Sequence, residues 1–395
     1  MPMTLNELDQ THVLHTYARR ELNFTHGRNA TLFEANGRDY IDFTSGIGVV
    51  SVGHGNPELA GAIADQAANI IHISNLYLIE PQAKLAQKLA ELSGLDARCF
   101  FANSGAEANE GAIKIARKYG EVDGQPKRYK IITLAHSFHG RTITALKATG
   151  QEQMHNYFGP FPDGFAYARD LSHIPELIDD HTVAVMIELV QGEGGVSPMD
   201  KAGVQKLAAL LKQKDILLII DEIQTGIYRT GELLASQLYD ITPDIVTLAK
   251  GLAGGVPIGA IVTTLKDIFA PGDHGSTFGG NYLSTAAGLK ALEILERHQA
   301  SGALDETLTY FKDRCEAFCA KHNRLFEGET GLGLMRALIA KDAEIQKKVI
   351  EGAHEAGLLI LKSGRNRVRM LPPLTITRAE IDEGFKRLEN ACATL

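Results

Sequence analysis

The sequence predicts an α/β fold, a large domain with a mostly parallel sheet flanked by helices, joined to a smaller α+β domain. Three observations predict it. Val183–Ile187, Ile216–Ile220 and Asp244–Leu248 are short, nearly continuous apolar runs, the pattern of strands covered on both faces. Between the first two, Lys201–Lys212 sets Val204, Leu207, Leu210 and Leu211 at helical spacing, so the unit reads β-α-β. From about Thr285 onward the alternation gives way to long amphipathic helices over 286–298 and 304–322, then a mixed segment closing in a helix over 378–393.

In chain order, the first 45 residues carry a helical start, then Arg28–Glu34 and Tyr40–Phe43, which read as paired strands around the turn Asn36-Gly37. They are expected to pack with the small domain. Gly105–Tyr119 reads as a helix and Tyr129–Leu134 as a strand, extending the alternation across about 46–285. The expected division is therefore 1–45 as an N-terminal segment, 46–285 as the large domain and 286–395 as the small one.

A chain of 395 residues, 44% apolar and 22% charged, has the composition of a globular protein able to bury a large core. Forty Lys and Arg against 48 Asp and Glu leave a net charge of −8, so no overall cationic field draws nucleic acid or a membrane surface. No nucleic-acid or membrane partner is expected. The apolar runs are far shorter than the roughly 20 residues a spanning helix needs. Cys99, Cys315, Cys319 and Cys392 form no C-x-x-C pair and no zinc-type spacing, which fits a reducing, cytoplasmic setting. Met1–Leu22 alternates polar and apolar residues and lacks the apolar core of a signal peptide.

Asp221 and Lys250 follow two of the apolar strands, at the carboxyl edge where open α/β sheets bind ligands. A carboxylate and an amine presented together match what pyridoxal phosphate requires: a lysine for the Schiff base and an acid against the pyridine nitrogen. A plainer reading stays open at this point, with Asp221-x-x-Gln224 as a capping box and Lys250 as a solvated loop lysine. Asn103-Ser104-Gly105-Ala106-Glu107 is a small-residue turn entering a helix, whose free N–H groups suit a phosphate, though Ser104 and Glu107 also have capping-box spacing. No stretch matches the dinucleotide or P-loop glycine motifs.

After the strand at 129–134 comes His136-Ser137-Phe138-His139-Gly140-Arg141-Thr142. Phe138 has the ring to stack on a planar cofactor, and Arg141 the planar fork to grip a carboxylate. His136 and His139 have no third ligand at zinc spacing, so no metal site is expected.

Together these segments resemble the class III pyridoxal-phosphate aminotransferases of fold type I. Within them the closest likeness is to the acetylornithine aminotransferases, through Asn103–Asn109, Ser137–Thr142, Asp221–Gly226 and Ala249-Lys250-Gly251. The resemblance runs from Gly37 to Leu374. It implies that Lys250 forms the Schiff base and shuttles protons, Asp221 pairs with the pyridinium nitrogen, Gln224 meets the phenolic oxygen and Phe138 stacks on the ring. Gly105 and Ala106 would bind the phosphate, and the flanking Ser104, Glu222 and Ile223 count with the cofactor set. Thr277 would reach the phosphate of the other subunit's cofactor, with Ser276 near the substrate, which implies a homodimer whose sites are completed across the interface.

The resemblance also implies two substrates, N-acetylornithine and 2-oxoglutarate. Arg141 would bind the donor's carboxylate and the distal carboxylate of 2-oxoglutarate, and Arg369 the α-carboxylate of the oxo acid, with Glu193 covering Arg369 in the first half-reaction. Ile47 stands where ornithine aminotransferases carry a tyrosine that meets the free α-amine, which disfavours ornithine. 4-Aminobutyrate, succinylornithine and succinyldiaminopimelate stay open as donors, and a non-catalytic scaffold is the remote alternative. Two departures stand out: Leu189 where proline usually follows Glu188, and Tyr228 where glycine is usual. Tyr228 is expected to alter a loop near the substrate entrance or a dimer contact.

Overall fold

The computed structural model describes residues 3–393 and 395. Its centre is a sheet of seven strands: β1 (Arg98–Ala102), β2 (Lys130–Leu134), β3 (Phe165–Ala168), β4 (Thr182–Ile187), β5 (Leu217–Asp221), β6 (Ile245–Leu248) and β7 (Gly259–Thr263). Their order across the sheet is β1-β7-β6-β5-β4-β2-β3. Every neighbour pairing is parallel except those of β7, which runs antiparallel to both β6 and β1. Apolar runs reveal that a strand is covered on both faces but not its direction, so the reversed strand was not foreseen.

The continuous apolar character has a direct cause. Alternate residues of the same strands feed two different layers. Ile132, Leu134, Val185, Ile187, Leu218 and Ile220 pack with Val204, Leu207 and Leu211 of α2 (Lys201–Gln213). Ile131, Ala184, Met186, Leu217 and Ile219 pack on the opposite face with Ala108, Ala112, Ile113, Ile115 and Ala116 of α1 (Gly105–Tyr119). Leu189, the first departure, is fully buried in the α2 layer.

Two smaller four-stranded sheets flank this body. In one, Phe24–Arg28, Thr31–Glu34 and Asp39–Asp42 form a meander, and Leu358–Leu359 adds in parallel to Asp39–Asp42. The sequence suggested one strand over 28–34; instead Asn29, with φ 51°, turns the chain and divides it in two. The other sheet joins Phe326–Leu332, Met335–Ala340, Arg367–Met370 and Leu361–Ser363. The helix expected from 286 begins at Tyr282, because Asn281 caps it by accepting the Ser284 N–H at 2.9 Å. Among the described residues no helix is long and apolar enough to cross a membrane.

At Tyr228 the entrance-loop expectation is corrected. It is 5% exposed and belongs to the main core with Leu233 and Leu248, not to an entrance loop. Ile227 and Tyr228 both take left-handed backbone, φ 56° and 63°, which explains why glycine suits position 228. Burial of the tyrosine ring offsets a backbone cost of order 1–2 kcal/mol.

Candidate active site

The carboxyl ends of β2, β4, β5 and β6 and the amino end of α1 surround a cavity of about 410 Å³. Its wall includes Ser104, Gly105, Ala106, Phe138, Arg141, Glu193, Asp221, Ile223, Gln224 and Lys250. Residues far apart in sequence converge there because each ends a strand or begins a helix at the same sheet edge.

Asp221 closes β5 and is 4% exposed. Its Oδ2 accepts from Asn109 Nδ2 and pairs with His139 Nδ1, both at 2.8 Å, and its Oδ1 accepts the Ile223 N–H at 3.1 Å. That last contact and the absence of a helix after β5 among the described residues replace the capping box with a held carboxylate. Lys250 follows β6 in a short 3-10 turn with φ 40°, an uncommon conformation for a side-chain-bearing residue. Its remaining exposure is toward the cavity. Among the described residues Nζ makes no hydrogen bond. Burial lowers the pKa of Lys250 from its ordinary value, and the charge of Asp221 is the largest opposing influence.

Ser104 caps α1 by accepting the Glu107 N–H at 3.2 Å, while the Glu107 carboxylate reaches back to the Asn103 N–H at 2.6 Å, one residue earlier than in a standard box. The first turn thus presents Gly105 and Ala106 to the cavity. A Cβ on Gly105 would lie 2.8 Å from Ile223 Cδ1, so only glycine lets the helix end approach so closely. Above the floor, the guanidinium carbon of Arg141 lies 5.6 Å from the Phe138 ring centroid, and Arg141 is exposed. Arg369, 3% exposed, donates from Nη1 to Glu193 Oε1 at 2.6 Å and to Gln224 Oε1 at 3.4 Å.

Four expected residues lie elsewhere. The Glu222 carboxylate turns away from the cavity and accepts from Thr225 Oγ1, Ala235 N–H and Ser236 N–H at 2.5, 2.9 and 2.8 Å. Ser276 and Thr277 line a separate depression with His274 and Phe278. There Ser276 Oγ accepts from Asn103 Nδ2 at 3.0 Å. Ile47, with φ 68° and 43% exposed, is not on the cavity wall, whereas Val49 of the same segment is.

Conversely, the cavity recruits groups that had no assigned part. Asn109 lies four positions beyond Gly105, hence on the same helix face, and His139 belongs to a motif read for ring stacking, carboxylate binding and metal. Glu188 directly follows β4, the same strand-end signal that singled out Asp221 and Lys250. It is 7% exposed, and accepts the Phe138 N–H at 2.9 Å and the Gly192 N–H at 3.3 Å. Burial raises its pKa to about 7; His139 opposes and Asp221 adds to the shift.

The donor set suits pyridoxal phosphate. A buried carboxylate fixed at one end, a partner-free amine, a phenyl face and a helix amino end open to an anion answer its four requirements. Comparison with known proteins agrees. The family model for aminotransferase class-III matches residues 15–392. The acetylornithine aminotransferase of Wolinella succinogenes is 64% identical over 97% of this chain and 98% of its own. Among solved structures, the ornithine aminotransferase of Toxoplasma gondii ME49 superposes with TM-score 0.91 at 32% identity, covering 98% of this chain and 94% of that one. The N-acetylornithine aminotransferase of Stenotrophomonas maltophilia K279a gives 0.83 at 34%, covering 98% of each. With its strand-end lysine and carboxylate in one cavity and its family match spanning nearly the whole chain, this protein belongs to the class III aminotransferases, enzymes dependent on pyridoxal phosphate.

Proposed function

We propose that this cavity transfers the δ-amino group of N-acetylornithine to 2-oxoglutarate, yielding N-acetylglutamate 5-semialdehyde and glutamate, a step of arginine biosynthesis. The observation that carries the reading is the contrast between the two arginines. Arg141 is exposed on the cavity wall with no carboxylate partner among the described residues, whereas Arg369 is covered by Glu193 at 2.6 Å. One open and one covered cation suit a site that takes a donor with one carboxylate and then an acceptor with two. Overall fold likeness extends to ornithine and N-acetylornithine enzymes alike, so it does not select the donor. The names of relatives that match over nearly the whole chain favour the acylated one.

When bound, the cofactor supplies a conjugated ring that takes up the electron pair left on the substrate carbon. The chain's own groups do the rest. Asp221, oriented by Asn109 and His139, would sit against the ring nitrogen, Phe138 would hold the ring plane and Gln224 would meet the phenolic oxygen. Gly105 and Ala106 would hold the phosphate. Lys250 Nζ would hold the cofactor and, once the donor amine has displaced it, would carry the proton from the donor carbon, a role that burial favours by lowering its pKa.

A second copy of the chain completes the assembly in this reading. Asn75 Nδ2 donates to the Ser276 and Gly279 carbonyls at 3.1 and 2.8 Å, joining Thr277 to a segment with Leu76, Tyr77 and Leu78 86, 66 and 97% exposed. Such a patch calls for a partner surface, and Thr277, outside its own cavity, would then serve the neighbour's phosphate. The test of the chemistry is Lys250→Ala: transamination is expected to vanish while far-UV circular dichroism and melting temperature persist. Retained turnover would overturn the reading.

A further inference from the structure

Glu193 and Arg369 differ in freedom. The glutamate side chain is 32% exposed and the arginine 3%, so when the pair opens it is Glu193 that has room to move. Yet the main chain beneath Glu193 is held from two sides. On one side Glu188 accepts the Gly192 N–H at 3.3 Å. On the other, the Ser363 hydroxyl donates to the Gly192 carbonyl at 2.7 Å and the Glu193 carbonyl at 3.2 Å, and the Gly364 N–H donates to the Glu193 carbonyl at 3.0 Å.

The second clamp reaches the opposing arginine directly. Ser363 is 4% exposed and ends the strand Leu361–Ser363, which pairs with Arg367–Met370 in the register Leu361↔Arg369 and Ser363↔Arg367. A Cβ on Gly364 would stand 3.0 Å from the Glu193 carbonyl oxygen, so the approach is as close as a glycine permits. The strand that carries Arg369 and the loop that carries Glu193 are thus linked through one hydroxyl and one N–H.

We propose that Ser363 and Glu188 are positioning residues that fix the Gly192–Glu193 main chain against the Arg369 strand, so that Glu193 uncovers Arg369 by rotating its side chain while the loop stays in place. The inference rests on the reading of Glu193 and Arg369 as the covered oxo-acid site. It explains why a surface-facing glutamate needs two buried anchors: a hinging loop would change the distance to Arg369 with every turnover, whereas a rotating side chain on a fixed backbone returns to the same pair.

The experiment compares Ser363→Ala, Glu188→Gln and Glu193→Gln in the holoenzyme, reading each half-reaction separately and following amide hydrogen exchange of residues 190–196 and 364. Ser363→Ala is expected to lower the KM for 2-oxoglutarate about fivefold, the worth of one net hydrogen bond, because a loosened Glu193 covers Arg369 less well. The donor half-reaction, run without oxo acid, should stay within about twofold. Exchange should quicken at the Gly364 amide in Ser363→Ala and at the Gly192 amide in Glu188→Gln. Equal slowing of both half-reactions, or unchanged exchange, would overturn the inference. If Glu193→Gln alters 2-oxoglutarate kinetics and Ser363→Ala does not, the inference alone fails. If Glu193→Gln alters neither half-reaction, the covered-arginine reading fails and takes the inference with it.

Discussion

At one end of the cavity the Asp221 carboxylate is buried and held by its neighbours, whereas at the arginine end the groups are exposed or held by a pair that can open. Asp221, Asn109 and His139 are 4, 0 and 1% exposed and bonded to one another. Arg141 is exposed, and the partner of Arg369 is a third exposed. The difference fits the two tasks proposed for the cavity. A cofactor that stays through every turnover is served by groups whose orientation was settled on folding, and alternating substrates are served by groups that can be covered and uncovered.

The sharpest way to break the comparison is at its fixed end. Asp221→Asn preserves shape but removes the negative charge, and is expected to lower kcat roughly 10³-fold at saturating pyridoxal phosphate. Steady-state assay with N-acetylornithine and 2-oxoglutarate checks it; a loss confined to KM would mean that the fixed end is mere scaffold. At the adjustable end Arg141→Lys keeps the charge and loses the fork, so the donor KM should rise about 10- to 100-fold with kcat much less affected. Glu193→Gln should act more gently: with Arg369 uncovered, the KM for 2-oxoglutarate falls about fivefold, and donors with a free α-amine beside the carboxylate gain access. A competition assay against ornithine reads the second effect.

Glu188 lies where the two ends meet, and its titration sharpens the boundary. Burial raises it to about 7 from 4.5, while His139, Asp221 and Lys250 supply the charges that act on it or are acted on by it. A carboxyl whose pKa rises on folding carries no penalty below its unfolded value; the penalty grows as pH climbs through the folded one. The stability associated with Glu188 is therefore intact below about pH 4.5 and lost as pH climbs toward about 7. The melting temperature of Glu188→Gln relative to the parent should shift in the variant's favour between about pH 5 and about pH 8. A difference independent of pH would show that Glu188 is not titrating there.

Much of this was legible in the sequence because it follows from local rules. Helical spacing marked Gly105–Tyr119 and Lys201–Lys212, and unbroken apolar runs marked three central strands, whose ends point to Asp221 and Lys250. What was not legible depends on contacts that spacing does not encode. The reversed direction of β7 is settled by pairing with β6 and β1, not by its own residues. Tyr228 looked like a surface change because its motif usually carries glycine, but a left-handed turn folds the ring into the core. Glu222 shares a motif with Asp221 yet, one residue on, faces the opposite way, as alternation along an extended chain requires. Glu188 meets the same strand-end rule as Asp221, but its partners, the Phe138 and Gly192 N–H groups, are main-chain donors that no residue pattern marks.

The most direct test of the central claim is the visible absorption of the protein loaded with pyridoxal phosphate, titrated with N-acetylornithine, ornithine or 4-aminobutyrate in the absence of any oxo acid. The account predicts that the band is lost at far lower concentrations of N-acetylornithine than of the other two, and returns on adding 2-oxoglutarate. A band consumed as readily by ornithine or 4-aminobutyrate would contradict the donor assignment, and no band at all after cofactor is supplied would contradict the role of Lys250.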